Sequence, residues 1–404
     1  MGRAEQDTGC IRVRILLKIP AVTDPGISGR GESVLKVMLR RAEYECSTLK
    51  PLIFELLDGL AGDRIGKAGR VLIKPNLLAP ATPDKAMLTH PLIVRAAAEY
   101  VLRKGGIPLI ADSPAMGTFD RVMKESGIRE ALKGLDVECR EFKRSVAIDV
   151  GPPFNRIEIA EDVMRADVVL NLPKLKTHTQ MLLTLGVKNL FGCIVGLRKP
   201  EWHFRTGVDR EMFARLLVRI CRAIGPSVTL LDGILAMEGQ GPGKSGLPRR
   251  LGLLLAGTDP VAVDMTVCRM LGLDPMSLLT NRMAAETGTA PPDIRVDGEL
   301  QVIENFLLPE ITPLVFGPKS LHGFMRRHLV QRPLCDDALC RLCGECWKYC
   351  PAGAIKAVNK KVRFDYDACI RCYCCIEVCP HGALRAAETV YGKVARKLLK
   401  RHED

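Results

Sequence analysis

Eight cysteines near the C-terminus form two copies of one spacing. Cys340, Cys343, Cys346 and Cys350 read C-x2-C-x2-C-x3-C-P, closed by Pro351; Cys369, Cys372, Cys375 and Cys379 repeat it, closed by Pro380. At this spacing one loop wraps three corners of an iron–sulfur cubane, and the fourth cysteine of each run ligates the other cluster. The expected ligand sets are therefore Cys340, Cys343, Cys346 and Cys379 for one [4Fe–4S] cluster, and Cys369, Cys372, Cys375 and Cys350 for the second. A zinc site fits less well, since zinc ligands come as separated C-x-x-C pairs without a third cysteine in register. A disulfide framework belongs to small secreted chains. Cys374, beside Cys375, leaves the register open to a rival ligand.

A second set of reactive types lies far upstream. The stretch Asn171–Gly192 reads NLPKLKTHTQMLLTLGVKNLFG and places Lys174, Lys176, His178, Lys188 and Asn189 in an otherwise apolar run. Three lysines there suggest an anion site, for a carboxylate, a phosphate or a developing charge. His178 titrates near neutrality and is a candidate for moving protons. The bland alternative is solvated lysines and a structural histidine. The stretch Asp232–Gly246 reads DGILAMEGQGPGKSG, and its glycines, Gly239 and Gly241 among them, suit a loop whose amides approach a ligand. Gly243, Lys244 and Ser245 imitate a P-loop, but Glu238 stands where the first glycine belongs and Leu247–Pro248 where a helix should begin. Glu238 and Asp232 remain acid–base or metal candidates, or plain solvent-facing carboxylates. His90, His178 and His203 form a weaker metal set, with nothing fixing their separation.

The elements that must position these residues alternate. Short apolar strands are read at 34–39, 71–73, 107–111, 167–172, 228–231 and 251–256, and helices at 49–60, 91–104, 211–223 and 261–271; Thr118 is expected to cap another. This pattern predicts an α/β fold, a largely parallel sheet with flanking helices. The strands end on Lys74 and Asn76, Asp112 and Ser113, Lys174 and Lys176, Asp232, and Thr258 and Asp259. In such folds ligands bind beyond the carboxyl ends of the strands, so a shared site is expected there. The organisation read from the chain is an irregular leader (1–32), the α/β domain (33–318), a linker (319–334), a small α+β ferredoxin-like domain carrying two clusters (335–388) and a basic helical tail (389–404).

The chain of 404 residues carries a formal charge of +13. From Lys319 onward 17 Lys and Arg face 9 Asp and Glu, so the cluster region and tail hold most of that excess. Such a surface can steer an acidic electron-carrier protein, of ferredoxin or flavodoxin type. No aromatic-interleaved basic motif or helix-turn-helix points to nucleic acid. The tail from Val390 has apolar residues at helical spacing, but packing on its own domain is expected over contact with a membrane surface. Ile15–Ile19 is too short for a signal peptide and is interrupted by Lys18, and no apolar run reaches membrane-spanning length. The other eight cysteines are scattered singly, which suits a reducing compartment, and the cytoplasm is expected.

Taken in order, VLIKPNLL (71–78), THP (89–91), ADSP (111–114), NLPKLKTH with GVKNLFG (171–178, 186–192), DGILAMEGQGP (232–242) and AGTDPVAVD (256–264) resemble the bacterial and archaeal family of domain of unknown function 362, often fused to ferredoxin modules. Asp264 joins the candidate site through this resemblance only. The family is distantly similar to the lactate racemase fold, a two-lobed α/β protein with a cleft; this implies no nickel here. The function expected is an iron–sulfur oxidoreductase. Lys174, Lys176 and Lys188 would hold a small anionic substrate, and His178, Glu238 or Asp112 would move protons. Lys74, Asn76, Asn189, Asp232, Gly239 and Gly241 would complete the binding site. The rivals are an electron carrier with a docking domain, and a non-redox isomerase or lyase with structural clusters.

Overall fold

The computed structural model describes residues 34–62, 64–196, 198–206, 209–309, 328, 330–389 and 391. The expected leader, and most of the expected linker and basic tail, lie outside the described residues.

The chain begins β1 (Leu35–Arg41), α1 (Cys46–Ala61), β2 (Arg70–Pro75), α2 (Pro91–Arg103), β3 (Ile107–Asp112), α3 (Phe119–Glu125), α4 (Ile128–Ala131) and β4 (Glu138–Glu141). A hairpin of β5 (Ser145–Gly151) and β6 (Asn155–Ala160) and the short α5 (Glu161–Arg165) follow. Then come β7 (Val168–Leu172), β8 (Lys174–His178), β9 (Leu182–Thr184), α6 (Gly186–Asn189), α7 (Arg198–Thr206), α8 (Arg210–Ile224), β10 (Val228–Gly239), β11 (Gly246–Gly257), α9 (Pro260–Met270), α10 (Leu279–Glu286) and β12 (Ile294–Asp297).

Ten of these strands form one sheet in the order β12-β1-β11-β10-β7-β2-β3-β4, with β8 and β9 branching from β10. The centre, β10-β7-β2-β3, is parallel, as the apolar runs predict; β11 is antiparallel to both its neighbours. Successive residues alternate between two cores. Leu72, Val169 and Leu231 face α8 and α9, whereas Val71, Ile73, Leu170 and Leu230 face α1 and α2. Burial on both faces explains why these strands read as unbroken apolar runs. Thr118 caps α3 as expected, its side chain accepting the Arg121 N–H. One expectation fails: Asp232–Gly239 is not a loop. The strand β10 continues through it with a register slip between Gly233 and Leu235, and only residues 240–245 turn. The slip absorbs Gly233, which packs against Leu253 and has no side chain to hold the pleat.

The C-terminal part pairs β13 (Arg332–Cys335) with β16 (Leu384–Ala387) and carries a hairpin of β14 (Ile355–Val358) and β15 (Lys361–Phe364). Two one-turn helices, α11 (Glu345–Lys348) and α12 (Cys374–Glu377), complete an α+β module. The sequence repeat is a structural one. Leu342 and Arg371 are both left-handed (φ 52° and 58°), as are Gly344 and Tyr373 (φ 92° and 59°). Each pair sits at the same place in its cysteine run and bends the loop inward around a centre.

Candidate active site

The two cysteine runs interleave. One cavity is lined by Cys340, Cys343, Cys346 and Cys379, a second by Cys350, Cys369, Cys372 and Cys375. These are the crossed sets expected from the spacing. The Ala354 N–H lies 3.3 Å from Cys350 Sγ and the Ala383 N–H 3.3 Å from Cys379 Sγ, equivalent donors in the two repeats. Four convergent thiols and an amide aimed at sulfur are the donor chemistry an iron–sulfur cluster needs. Cys335 also lines the first cavity, a residue the spacing did not single out. Cys374 lines neither; it opens onto the cavity described next.

That cavity, of about 240 Å³, lies between the strand ends of the large sheet and the cysteine module. Its floor is Lys74 and Asn76 after β2, Asp112 and Ser113 after β3, Lys176 and His178 on β8, and Lys188 and Asn189 on α6. One side comes from α7, whose Lys199 and His203 are four residues apart and so share a face. The opposite wall is Tyr349, Cys374, Glu377 and Val378 from the cysteine module. Val378 is buried in the same core as α1 and α2, which fixes that wall.

Each polar floor residue is held. Lys74 and Asp112 form a buried ion pair at 2.9 Å, and the Asp112 carboxylate also accepts the Leu77 and Ser113 N–H groups. Gly192 packs beside them, and a Cβ there would fall 2.5 Å from the Asp112 carboxylate and 2.6 Å from the Lys74 ammonium, forcing the pair to shift. Lys176 donates to Asn76 Oδ1 and to the Met87 carbonyl, both at 2.8 Å. Asn76 donates in turn to Asn189, and Asn189 to Asn171, each at 2.8 Å. This amide chain sets Lys176 in place without neutralising it. Burial, reinforced by nearby Lys188, pushes Lys176 down to about 7. Lys199 donates to the Ser113 carbonyl and is lowered by burial to about 8. Lys188 lies 5.9 Å from the ring centres of Phe191 and Phe213. Among the described residues Lys176, Lys188 and Lys199 have no carboxylate within salt-bridge distance. The cavity therefore holds three lysines without a direct ion pair, with the Glu377 carboxylate on the facing wall.

His178 joins the two parts of the chain. Its Nδ1 accepts the Gln180 and Met181 N–H groups (3.1 and 3.3 Å), which leaves the ring proton on Nε2. Nε2 lies 2.9 Å from Glu377 Oε1 across the cavity, off the line of a formed hydrogen bond, and neither atom has a hydrogen-bond partner among the described residues. Burial, the larger effect, and Lys188 push His178 down to about 4, so the imidazole is neutral at pH 7. His203 packs against Phe191 and Phe213, its buried Nδ1 without a partner among the described residues.

Six expected site residues do not line the cavity. Lys174 is sealed in a closed network: its ammonium donates to Asp232 and to the Tyr44 hydroxyl, both at 2.8 Å, and that hydroxyl donates to Asp232 at 2.6 Å. The His90 ring stacks on Tyr44 at 3.6 Å and caps α2, and it does not line the cavity that His178 and His203 share. No trio of His, Cys, Asp or Glu among the described residues is placed to hold a single metal ion. Glu238 pairs with Arg249 at 2.9 Å and accepts the Leu307 N–H. Gly239 ends β10, and Gly241 packs against Thr177 so tightly that a Cβ would collide with it. Asp264 accepts the Gly186 and Val187 N–H groups (2.7 and 3.1 Å) and thereby anchors the helix bearing Lys188 and Asn189. Burial outweighs those two amides and raises it to about 8.

Sequence reasoning missed Glu377, Lys199 and Tyr349 and gave His203 little weight. The one available signal was a carboxylate inside a cysteine run, between Cys375 and Cys379. The turn at 240–245 was rejected as a P-loop, and it packs on the cysteine module: a Cβ on Gly243 would lie 3.4 Å from the Ile376 and Glu377 carbonyls.

Comparison with known proteins agrees with this division. Residues 71–269 match the model of a domain of unknown function (DUF362), and residues 332–380 match a 4Fe-4S dicluster domain. A thylakoid-associated protein of Synechocystis sp. (strain ATCC 27184 / PCC 6803 / Kazusa) is 37% identical over 303 residues, 73% of this chain and 94% of that protein. The lactate racemase apoprotein of Thermoanaerobacterium thermosaccharolyticum is 12% identical, with a TM-score of 0.38 over 58% of this chain and 57% of its own. No helix among the described residues is long and apolar enough to cross a membrane. The chain is an iron–sulfur protein of the DUF362 family, in which a 4Fe-4S dicluster domain follows the family domain.

Proposed function

We propose that this protein is an oxidoreductase passing single electrons, by way of two [4Fe–4S] clusters, between an acidic carrier protein and a small anionic substrate in the cavity. The observation that supports this reading is the shared wall. Cys374 and Glu377, set among the cysteines of the second run, line the same space as Lys176, Lys188 and His178. The eight run cysteines would hold the clusters in the crossed sets, and when bound these supply one-electron transfer.

The remaining work falls to side chains. Lys188, with Lys176 and Lys199, attracts and fixes the anion, and the amide chain Asn76–Asn189 orients Lys176 toward it. His178 holds a proton on Nε2, 2.9 Å from Glu377, at the cavity wall where a bound molecule would meet it. Phe191 and Val378 give the space apolar sides, which strengthens each charge inside it.

The test is optical. The protein is purified without oxygen, reduced, and mixed with small organic anions while cluster absorbance is followed. A substrate reoxidises the wild type, and Lys188→Ala slows this by roughly 10–100-fold, the worth of one charged hydrogen bond. If only carrier proteins reoxidise the clusters, and the variant behaves as wild type, the chain is an electron carrier and the cavity reading is wrong.

A further inference from the structure

The two cysteine-lined cavities have different surroundings. The one formed by Cys350, Cys369, Cys372 and Cys375 is turned inward: Cys372 and Cys375 are buried, and α12 beside it is the wall of the active-site cavity. The other is turned outward. Cys343 is exposed, and next to it Leu339 and Leu342 are 48% and 37% exposed, large apolar side chains at the surface. Arg341 and His381, both exposed, line its rim. Val362 lines it from β15, and its neighbours Lys361 and Arg363 are solvent-facing. Lys361 is taken by Asp337 at 2.9 Å, whereas Arg341 and Arg363 have no carboxylate within salt-bridge distance among the described residues. Over 330–389 seven basic side chains are exposed against four acidic ones, so the charge of this module favours an acidic partner. The two sites are close: Cys346 and Cys350, like Cys375 and Cys379, are four residues apart, about 6 Å along a helical turn.

We propose that the face around Cys343, with Leu339, Leu342, Arg341 and Arg363, is the docking surface for an acidic single-electron carrier protein. One electron leaves the reduced carrier and is taken up at the Cys340–Cys343–Cys346–Cys379 site; no covalent bond forms or breaks and no proton moves. A small exposed apolar patch with Arg341 beside it and Arg363 on β15, both without an ion-pair partner among the described residues, suits a short-lived, electrostatically steered complex. The direction of the relay, outer site to inner site to cavity, rests on the oxidoreductase reading; the docking surface does not.

The test uses the full-length, iron-loaded protein and an acidic flavodoxin as probe. Binding is measured by calorimetry at about 0.01 M ionic strength, where the Debye length is about 30 Å, and again in high salt. The expected result is affinity that falls as salt rises, weakened at least tenfold by Arg341→Glu with Arg363→Glu, with iron content and the rate of reduction by dithionite unchanged. Should Arg341→Glu lose iron, Arg363→Glu alone decides, because it lies outside both cysteine runs; Leu342→Asn, neutral and at ease in the left-handed backbone there, gives a charge-independent check. Equal affinity in iron-replete variants overturns the proposal. So does failure of the wild type to bind the flavodoxin, or binding of anionic phospholipid vesicles through these residues in its place. If the carrier docks here and no small anion reoxidises the protein, the docking surface stands and the oxidoreductase reading fails.

Discussion

Lys174 and Lys176 lie two residues apart on one strand, equally buried, and they end in opposite circumstances. Lys174 meets Asp232 and Tyr44, so its charge is answered inside the protein. Lys176 meets an amide oxygen and a backbone carbonyl, so its charge is oriented but not answered. Burial alone therefore does not distinguish a structural cation from a functional one; the partner does. A neutralised ammonium adds rigidity, while an oriented and unneutralised one at a cavity is what the proposed function uses to hold an anion.

The sharpest way to break this comparison is to make the closed network resemble the open one. Asp232→Ala leaves Lys174 buried beside no carboxylate and is expected to cost about 3–5 kcal/mol in urea unfolding. Replacing both partners with apolar residues of similar size should recover most of that. If Asp232→Ala is silent, the network is not what holds this end of β10. A smaller effect tests the open side. Lys176 carries its charge below about pH 7 and loses it above. Anion affinity measured by calorimetry should therefore fall by as much as about tenfold per pH unit above 7, and Lys176→Gln should flatten that slope. An unchanged profile would remove Lys176 from the binding site.

The smallest effect concerns His90, in the closed network. Burial, partly offset by Asp232, pushes its pKa down to about 4, below the unfolded value near 6.5. The folded state then binds fewer protons, so this contribution to stability is full above about pH 6.5 and is lost as pH falls toward 4. His90→Asn keeps a cap acceptor for α2 and should reduce acid destabilisation near pH 5 by about 1 kcal/mol, allowing for solvent screening. Parallel acid curves for the two proteins would contradict this.

The sequence made some of this legible and not the rest, for a physical reason. Covalent spacing is local, so Cys340–Cys379 could be read directly. The strand ends at Lys74, Asp112 and Lys176 were legible because a parallel sheet puts successive carboxyl ends on one side. Whether Lys174 or Lys176 faced the cavity depended on Tyr44, 130 residues away, and on a slip in β10 at Gly233 that no pattern announces. Glu238 resembled a site carboxylate until Arg249 was seen beside it across the hairpin. Glu377 read as one more charged residue in a metal loop, because its partner His178 is 199 positions upstream.

The wall built from Tyr349, Cys374, Glu377 and Val378 has a consequence for how the molecule matures. These residues keep their places only while the module around the cysteines is folded, and in small metal modules the metal's binding energy is folding energy. In the proposed function, the cavity is then finished only after iron and sulfide are in place. A chain without its inorganic part, newly made or damaged by oxygen, would lack one side of the vessel in which its chemistry happens. Under the proposed function, cofactor assembly is thus the lock on the substrate chamber as well as its supply of electrons.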